Sequence, residues 1–154
     1  MFKKTHTPII ALQKIKQYCA YQERCHQEVR NKLFEFGLYA TEVDNIVATL
    51  IEENYVNEER FAILFAGGKF RIKQWGRNKI KYELKQKQVS VANIKKAILQ
   101  IDEDDYEKTL YKQYETYFAK QKGIRQIKEI KTKKYLIQKG FEIDLINNIA
   151  KKIK

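Results

Sequence analysis

Three groups of neighbouring carboxylates have spacing suited to chemistry: Glu52-Glu53, Glu58-Glu59 and the cluster within Asp102 to Asp105. Paired acids can hold a magnesium ion and so support phosphodiester cleavage. Glu58-Glu59 follows Asn57, a good N-cap, however, and the other run opens a helix starting somewhere among Asp102 to Asp105. Acids in the first turn of a helix are stabilised by its dipole, and Asn or Asp caps it, so helix starts account for both later clusters. Cys19, Cys25 and His26 fall one ligand short of a structural zinc site, and His6 and His26 give no nucleophile–base pair. No P-loop or glycine-rich phosphate cradle occurs. The chain is therefore read as a non-enzyme with no metal and no cofactor.

The second chemistry is electrostatic. Thirty-one basic residues against 19 acidic ones give 154 residues a net charge of +12. A field of that sign concentrates anionic partners. The stretch RIKQWGRNKIKYELK, residues 71–85, holds six basic residues and one acid around Trp75 and Gly76. Residues 25–66 carry three basic and eight acidic side chains, 69–96 carry ten and one, and 120–139 carry eight and one. A lysine-rich outer face also keeps a helical protein soluble, but near-absence of acids from two segments calls for a polyanionic or acidic target. Lys69, Lys73 and Arg77 follow helical spacing, as do Arg77, Lys81 and Lys85. The candidate binding residues are Arg30, Lys69, Arg71, Lys73, Arg77, Lys81, Lys85, Lys133 and Lys139. Trp75 and the tyrosines have faces on which bases could stack, yet at helical spacing Trp75, Tyr55 and Tyr106 read as core.

These residues must be positioned by helices. With six glycines and one proline the chain has few strand-turn signals, and apolar residues recur at i, i+3, i+4, i+7. Thr7-Pro8 opens the first helix with a hydroxyl cap and a proline at the first helical position. From Leu33, apolar residues fall at +5, +10, +13, +14 and +17. The same offsets recur from Leu84 and from Leu136, so a unit of about 50 residues is copied three times. Within each unit a helix ends at Phe36-Gly37-Leu38, Lys87-Gln88-Val89 or Lys139-Gly140-Phe141. Gly37 and Gly140 suit a left-handed helix end, while Gln88 must adopt it without glycine's freedom. Gly67-Gly68 inside a helix costs on the order of 2 kcal/mol of propensity, so backbones pack closely there or the helix bends.

The expected fold is all-α: an elongated, right-handed-type array of three tandem three-helix repeats, the last truncated, preceded by an N-terminal helix. The divisions expected are 1–24 for that helix, then 25–74, 75–126 and 127–154. The apolar run after Lys3 and Lys4 is too short for a signal peptide core, and no span follows. A cytoplasmic protein without membrane contact is expected.

Four local patterns resemble the RecX family, regulators of the RecA recombinase. Residues 28–33, EVRNKL, are similar to its "ELxxKL" helix, and 55–62, YVNEERFA, to its "YLDDxRFA" signature. Arg71, Gly76, Ile80 and Glu83-Leu84 match its "R…G…I..EL" segment, and LIQKGF at 136–141 with Ile146 its closing "LxxRGFxxxxI". Asn57-Glu58 departs from the family's paired aspartates, and Cys25 stands where a serine cap is usual. The resemblance implies a monomeric helical array that binds the groove of the RecA nucleoprotein filament and represses strand exchange and co-protease activity, without catalysis or cofactor. The alternatives are a basic protein acting directly on single- or double-stranded DNA, and a magnesium nuclease dependent on Glu58 and Glu59.

Overall fold

The structure, a computed structural model, describes residues 6–153; Lys3 and Lys4 lie outside them. Among the described residues the chain forms α1 (Pro8–Tyr21), α2 (His26–Glu35), α3 (Ala40–Glu52), α4 (Glu58–Gly68), α5 (Arg77–Gln86), α6 (Val91–Leu99), α7 (Glu103–Lys120), α8 (Arg125–Gln138) and α9 (Ile143–Lys152), with a π-helical turn, Lys69–Lys73, continuing α4.

The starts are capped much as side-chain chemistry dictates. Thr7 Oγ1 accepts from the Ile10 N–H at 3.3 Å, Asn57 Oδ1 from Arg60 at 2.8 Å, Ser90 Oγ from Asn93 at 3.3 Å and Asp102 from Asp105 at 3.0 Å. At Cys25 the thiol is buried and the Glu28 carboxylate takes the Cys25 N–H at 3.0 Å.

The three repeated loops share one closure. The N–H groups of Leu38, Val89 and Phe141 donate to the carbonyls of Leu33, Leu84 and Leu136, at 3.5, 3.1 and 3.1 Å. That six-residue return is the origin of the +5 offset, since the hydrophobe that closes each turn is the one that drops into the core. Gln88 does enter the left-handed region, at φ 64°, which costs a non-glycine residue roughly 1 kcal/mol.

The helices pack in threes. One core joins Ala11, Ile15, Val29, Leu33, Val43, Ile46, Leu50 and their neighbours from α1–α3. A second runs from Phe61 and Ala66 through Ile80, Leu84 and Ile94 to Tyr106, Leu136 and Ile146, spanning α4–α9. Helix α4 packs against α6, α5 against α6, and α7 against both α8 and α9. The tandem three-helix repeat is present, and packing starts each unit one helix earlier than the expected divisions at 24, 74 and 126. The N-terminal helix belongs to the first unit, and α7–α9 make a complete third one. Sequence self-similarity fixes the period of a repeat and leaves its starting phase open. The surface of 9949 Å² exceeds the roughly 8,200 Å² of a compact 18.4 kDa protein, as a chain of units requires.

The two junctions differ. Between the first and second units Arg60 pairs with Glu23 at 2.9 Å and Lys87 lies 3.9 Å from Glu28, and Cys25 reaches into the second core. Between the second and third, backbone meets backbone: the Gly76 N–H donates to the Lys139 carbonyl at 2.7 Å and the Asn78 N–H to that of Gly140 at 2.9 Å. A Cβ on Gly76 would lie 2.3 Å from Gly140 C and Phe141 N. Only glycine allows that approach.

Candidate nucleic-acid interface

The glycine pair Gly67-Gly68 resolves as a bend. Helix α4 widens into a π-helical turn over Lys69–Lys73, and Gln74 closes it in the left-handed region at φ 56°. π-turns inserted in α-helices re-aim side chains and concentrate at functional sites. After the turn Trp75, read as core, packs against the edge of the second core beside Phe65. The indole is half-buried, with Lys69 Nζ 5.1 Å and Lys79 Nζ 4.6 Å from its ring. Lys69 also lies 5.5 Å from the Phe65 ring, and Lys87 Nζ 5.7 Å from the same ring. Cations and rings therefore alternate as Lys87, Phe65, Lys69, Trp75 and Lys79.

This row ends on a group of lysines. Lys139 Nζ donates to the Lys73 carbonyl at 2.7 Å. Burial, and then the like charges of Lys79 and Lys73, hold its ammonium below the ordinary lysine value. An anion placed among them would relieve that repulsion. Nearby, Lys112, Lys120, Gln113, Gln74 and the stacked pair Tyr117–Tyr135, rings 4.0 Å apart, line a shallow polar cleft of about 240 Å³.

The nine expected cations do not act alike. Lys73, Lys81, Lys85 and Arg71 are exposed, Lys69, Lys133 and Lys139 half-buried. Arg71 lies with its guanidinium beside Gly67. Arg77 is not an outward cation. With 13% of its side chain exposed, it bridges Glu142 at 2.8 Å and Glu103 across the junction of the second and third units. Tyr106, buried as expected, completes the set: its hydroxyl donates to Glu142 and accepts the Arg77 N–H at 2.9 Å. Burial raises that phenol far above its ordinary value, as does its bond to Glu142. Burial also opposes ionisation of Glu142, but hydrogen bonds from Tyr106 and Arg77 outweigh it, and the carboxyl lies below its ordinary range. Arg30 is likewise committed, to Asp44 at 2.6 Å. Sequence spacing ranks every cation on a helix face equally; only the acids brought from other units separate Arg77 from Lys81.

Lys79 and Lys87 were absent from the expected set. The spacing of four from Trp75 to Lys79 was the available signal for one. Glu58, offered as a metal ligand, instead accepts from the Ser90 N–H at 2.9 Å and Asn93 Nδ2 at 2.8 Å, fixing α4 to the start of α6, while Glu59 pairs with Lys96 at 3.5 Å. Among the described residues no three His, Cys, Asp or Glu side chains converge, and no helix is long and apolar enough to cross a membrane.

Residues 57–98, spanning α4 to α6, match the family model described as RecX, second three-helix domain. That match begins at the Asn57 cap, where packing begins the second unit. The regulatory protein RecX of Thermotoga maritima is 31% identical over 134 residues, covering 86% of this chain and 78% of that protein. The chain belongs to the RecX family. The regulatory protein RecX of Clostridium perfringens strain 13 is 29% identical over 133 residues, and there this chain spans 62% of the relative's length. The crystal structure of RecX from Lactobacillus salivarius superposes with a TM-score of 0.84 over 95% of this chain and 96% of that one, at 20% identity, and a second regulatory protein RecX gives 0.86 over 94% and 71%. These structures have the same all-helical fold. The relatives are named as regulatory proteins, which points away from catalysis.

Proposed function

We propose that this RecX-family chain regulates RecA by binding along the groove of its nucleoprotein filament, and that it represses ATPase, strand exchange and co-protease activity. The observation that carries this reading is the row Lys87, Phe65, Lys69, Trp75, Lys79 ending on Lys73 and Lys139. Partitioned by packing, the first unit, 1–56, has seven basic and seven acidic residues, the second, 57–101, eleven and three, and the third, 102–154, thirteen and nine. Eight of the twelve excess positive charges therefore sit on the middle unit. Such a stripe would suit phosphates or an acidic protein groove, and a ligand preferring one filament state shifts the balance of growth and disassembly. The surface proposed is Lys69, Arg71, Lys73, Lys81, Lys85, Lys133 and Lys139 with Lys79 and Lys87 added. Replacing Lys69, Lys73 and Lys79 together by glutamate is expected to abolish inhibition of RecA ATPase with helical circular dichroism unchanged. Full inhibition by that variant rejects this surface.

A second reading, direct binding to single-stranded DNA, is favoured by Trp75, a half-buried indole between two ammonium groups. It is the only tryptophan in the chain. Stacking of a base on it would quench its emission in the absence of recombinase, and affinity for single strands would fall with salt at a slope of about 0.7 per phosphate engaged. Unchanged emission on adding oligothymidylate excludes this reading and leaves the filament reading standing.

A further inference from the structure

We infer that the outer face of α8 docks an acidic amphipathic helix of a partner protein. This contact is separate from the Trp75 row and does not rest on the filament reading. Helix α8 fully buries only Thr132 and Leu136. Its isoleucines stay in solvent instead: Ile124 is 66% exposed, Ile127 43%, Ile130 63% and Ile137 45%. At a 3.6-residue period these positions share one side of the helix, with exposed Lys131 and Lys134 between and beside them. The lone acid of the helix, Glu129, is turned the other way, towards Tyr114, whose phenol is raised first by burial and then by that charge. The exposed face thus offers an apolar row edged by cations, with no acid on it.

Each occupant must cover both features. A polynucleotide would meet the lysines and leave the isoleucines wet. A membrane surface is gripped by wide faces carrying Trp, Phe and Leu, and this row has none. The leading residues of the chain itself carry Lys3 and Lys4, of the same sign as the face. A second copy could offer α3, but the large apolar side chain exposed there is Ile51 alone, and Asp44 is held by Arg30. What fits is a helix presenting leucine or isoleucine at i, i+3 or i+4, and i+7 with glutamate or aspartate on both flanks.

The test uses the full chain and a labelled 20-residue synthetic helix with a leucine row flanked by glutamates, against a peptide of identical composition in scrambled order. Fluorescence anisotropy is expected to show the ordered peptide binding at least tenfold more tightly. Ile130→Ser with Ile137→Ser should remove that preference, and Lys131→Glu with Lys134→Glu should weaken it severalfold. Circular dichroism and Trp75 emission should be unchanged in both variants. Equal binding of the two peptides, or ordered binding indifferent to the isoleucine pair, overturns the inference. So does isoleucine-dependent binding to oligothymidylate or to phosphatidylglycerol vesicles, or isoleucine-dependent self-association in sedimentation. Failure of the filament reading would show in RecA ATPase and leave these measurements untouched.

Discussion

The guanidinium carbon of Arg77 sits 3.8 Å from the centre of the Tyr106 ring, and the backbone N–H of the same arginine donates to the Tyr106 hydroxyl at 2.9 Å. Residues 29 apart in sequence are thereby clamped, and Glu142, from the start of α9, joins both.

Removing the arginine leaves Glu142 half-buried without its cation. Arg77→Ala is expected to lower stability by roughly 2 kcal/mol, the scale of a charged hydrogen-bonded group lost from a partly buried site. Lys81→Ala, exposed one turn further along α5, should change it by less than about 0.5 kcal/mol. Urea denaturation followed at 222 nm distinguishes the two, and equal effects would deny Arg77 its joining role.

The same cluster predicts a pH response. Because the folded-state value of Glu142 is depressed, its contribution is complete above the unfolded value, about 4.3, and is lost as pH falls through the folded one. The melting temperature of the native chain should therefore drop more steeply below about pH 5 than that of Glu142→Gln. Parallel acid limbs would count against it.

Glycine substitutions should split in sign. Gly76→Ala places a Cβ against the backbone of Gly140 and Phe141, which cannot step aside. A loss on the order of 3 kcal/mol is expected. Gly68→Ala meets nothing within 4 Å at a helical φ of −65° and should gain up to about 1 kcal/mol. Thermal unfolding of both variants checks the contrast.

The two thiols should be silent. Burial raises Cys19 and Cys25 alike to about 11, so little thiolate exists at pH 8. Neither is expected to react with a disulfide reagent until urea unfolds the chain. Prompt native labelling of either would contradict its place in the core.

Much of this architecture was legible in the residues. The three anchors Leu33, Leu84 and Leu136, the caps at Thr7 and Asn57, the helix start among Asp102 to Asp105, and the left-handed turn at Gln88 follow from local chemistry, which a sequence records directly. Thr132, four before Leu136 as Val29 is before Leu33 and Ile80 before Leu84, is polar in type, yet it is fully buried and its hydroxyl returns to the Lys128 carbonyl at 2.8 Å, so it serves as an apolar residue of valine's shape. What escaped depended on distance. Whether Arg77 faces water or Glu142 is decided 65 residues away, and where Trp75 meets the core is decided by a π-turn after two glycines. The partner of α4 depends on distance too, since α4 resembles the tail of one copy until α6 is seen against it.

The unlike junctions make stiffness uneven along the molecule. Backbone bonds at Gly76 and Asn78, which dissolved ions leave untouched, hold the second and third units together beside the ion pairs of the mostly buried Arg77. The first unit meets the second through Cys25 and through Glu23–Arg60 and Glu28–Lys87, two links that counterions weaken. Raised ionic strength should therefore loosen the first junction more than the second, and cooperativity between the head and the rest of the molecule becomes a quantity that dissolved salt sets.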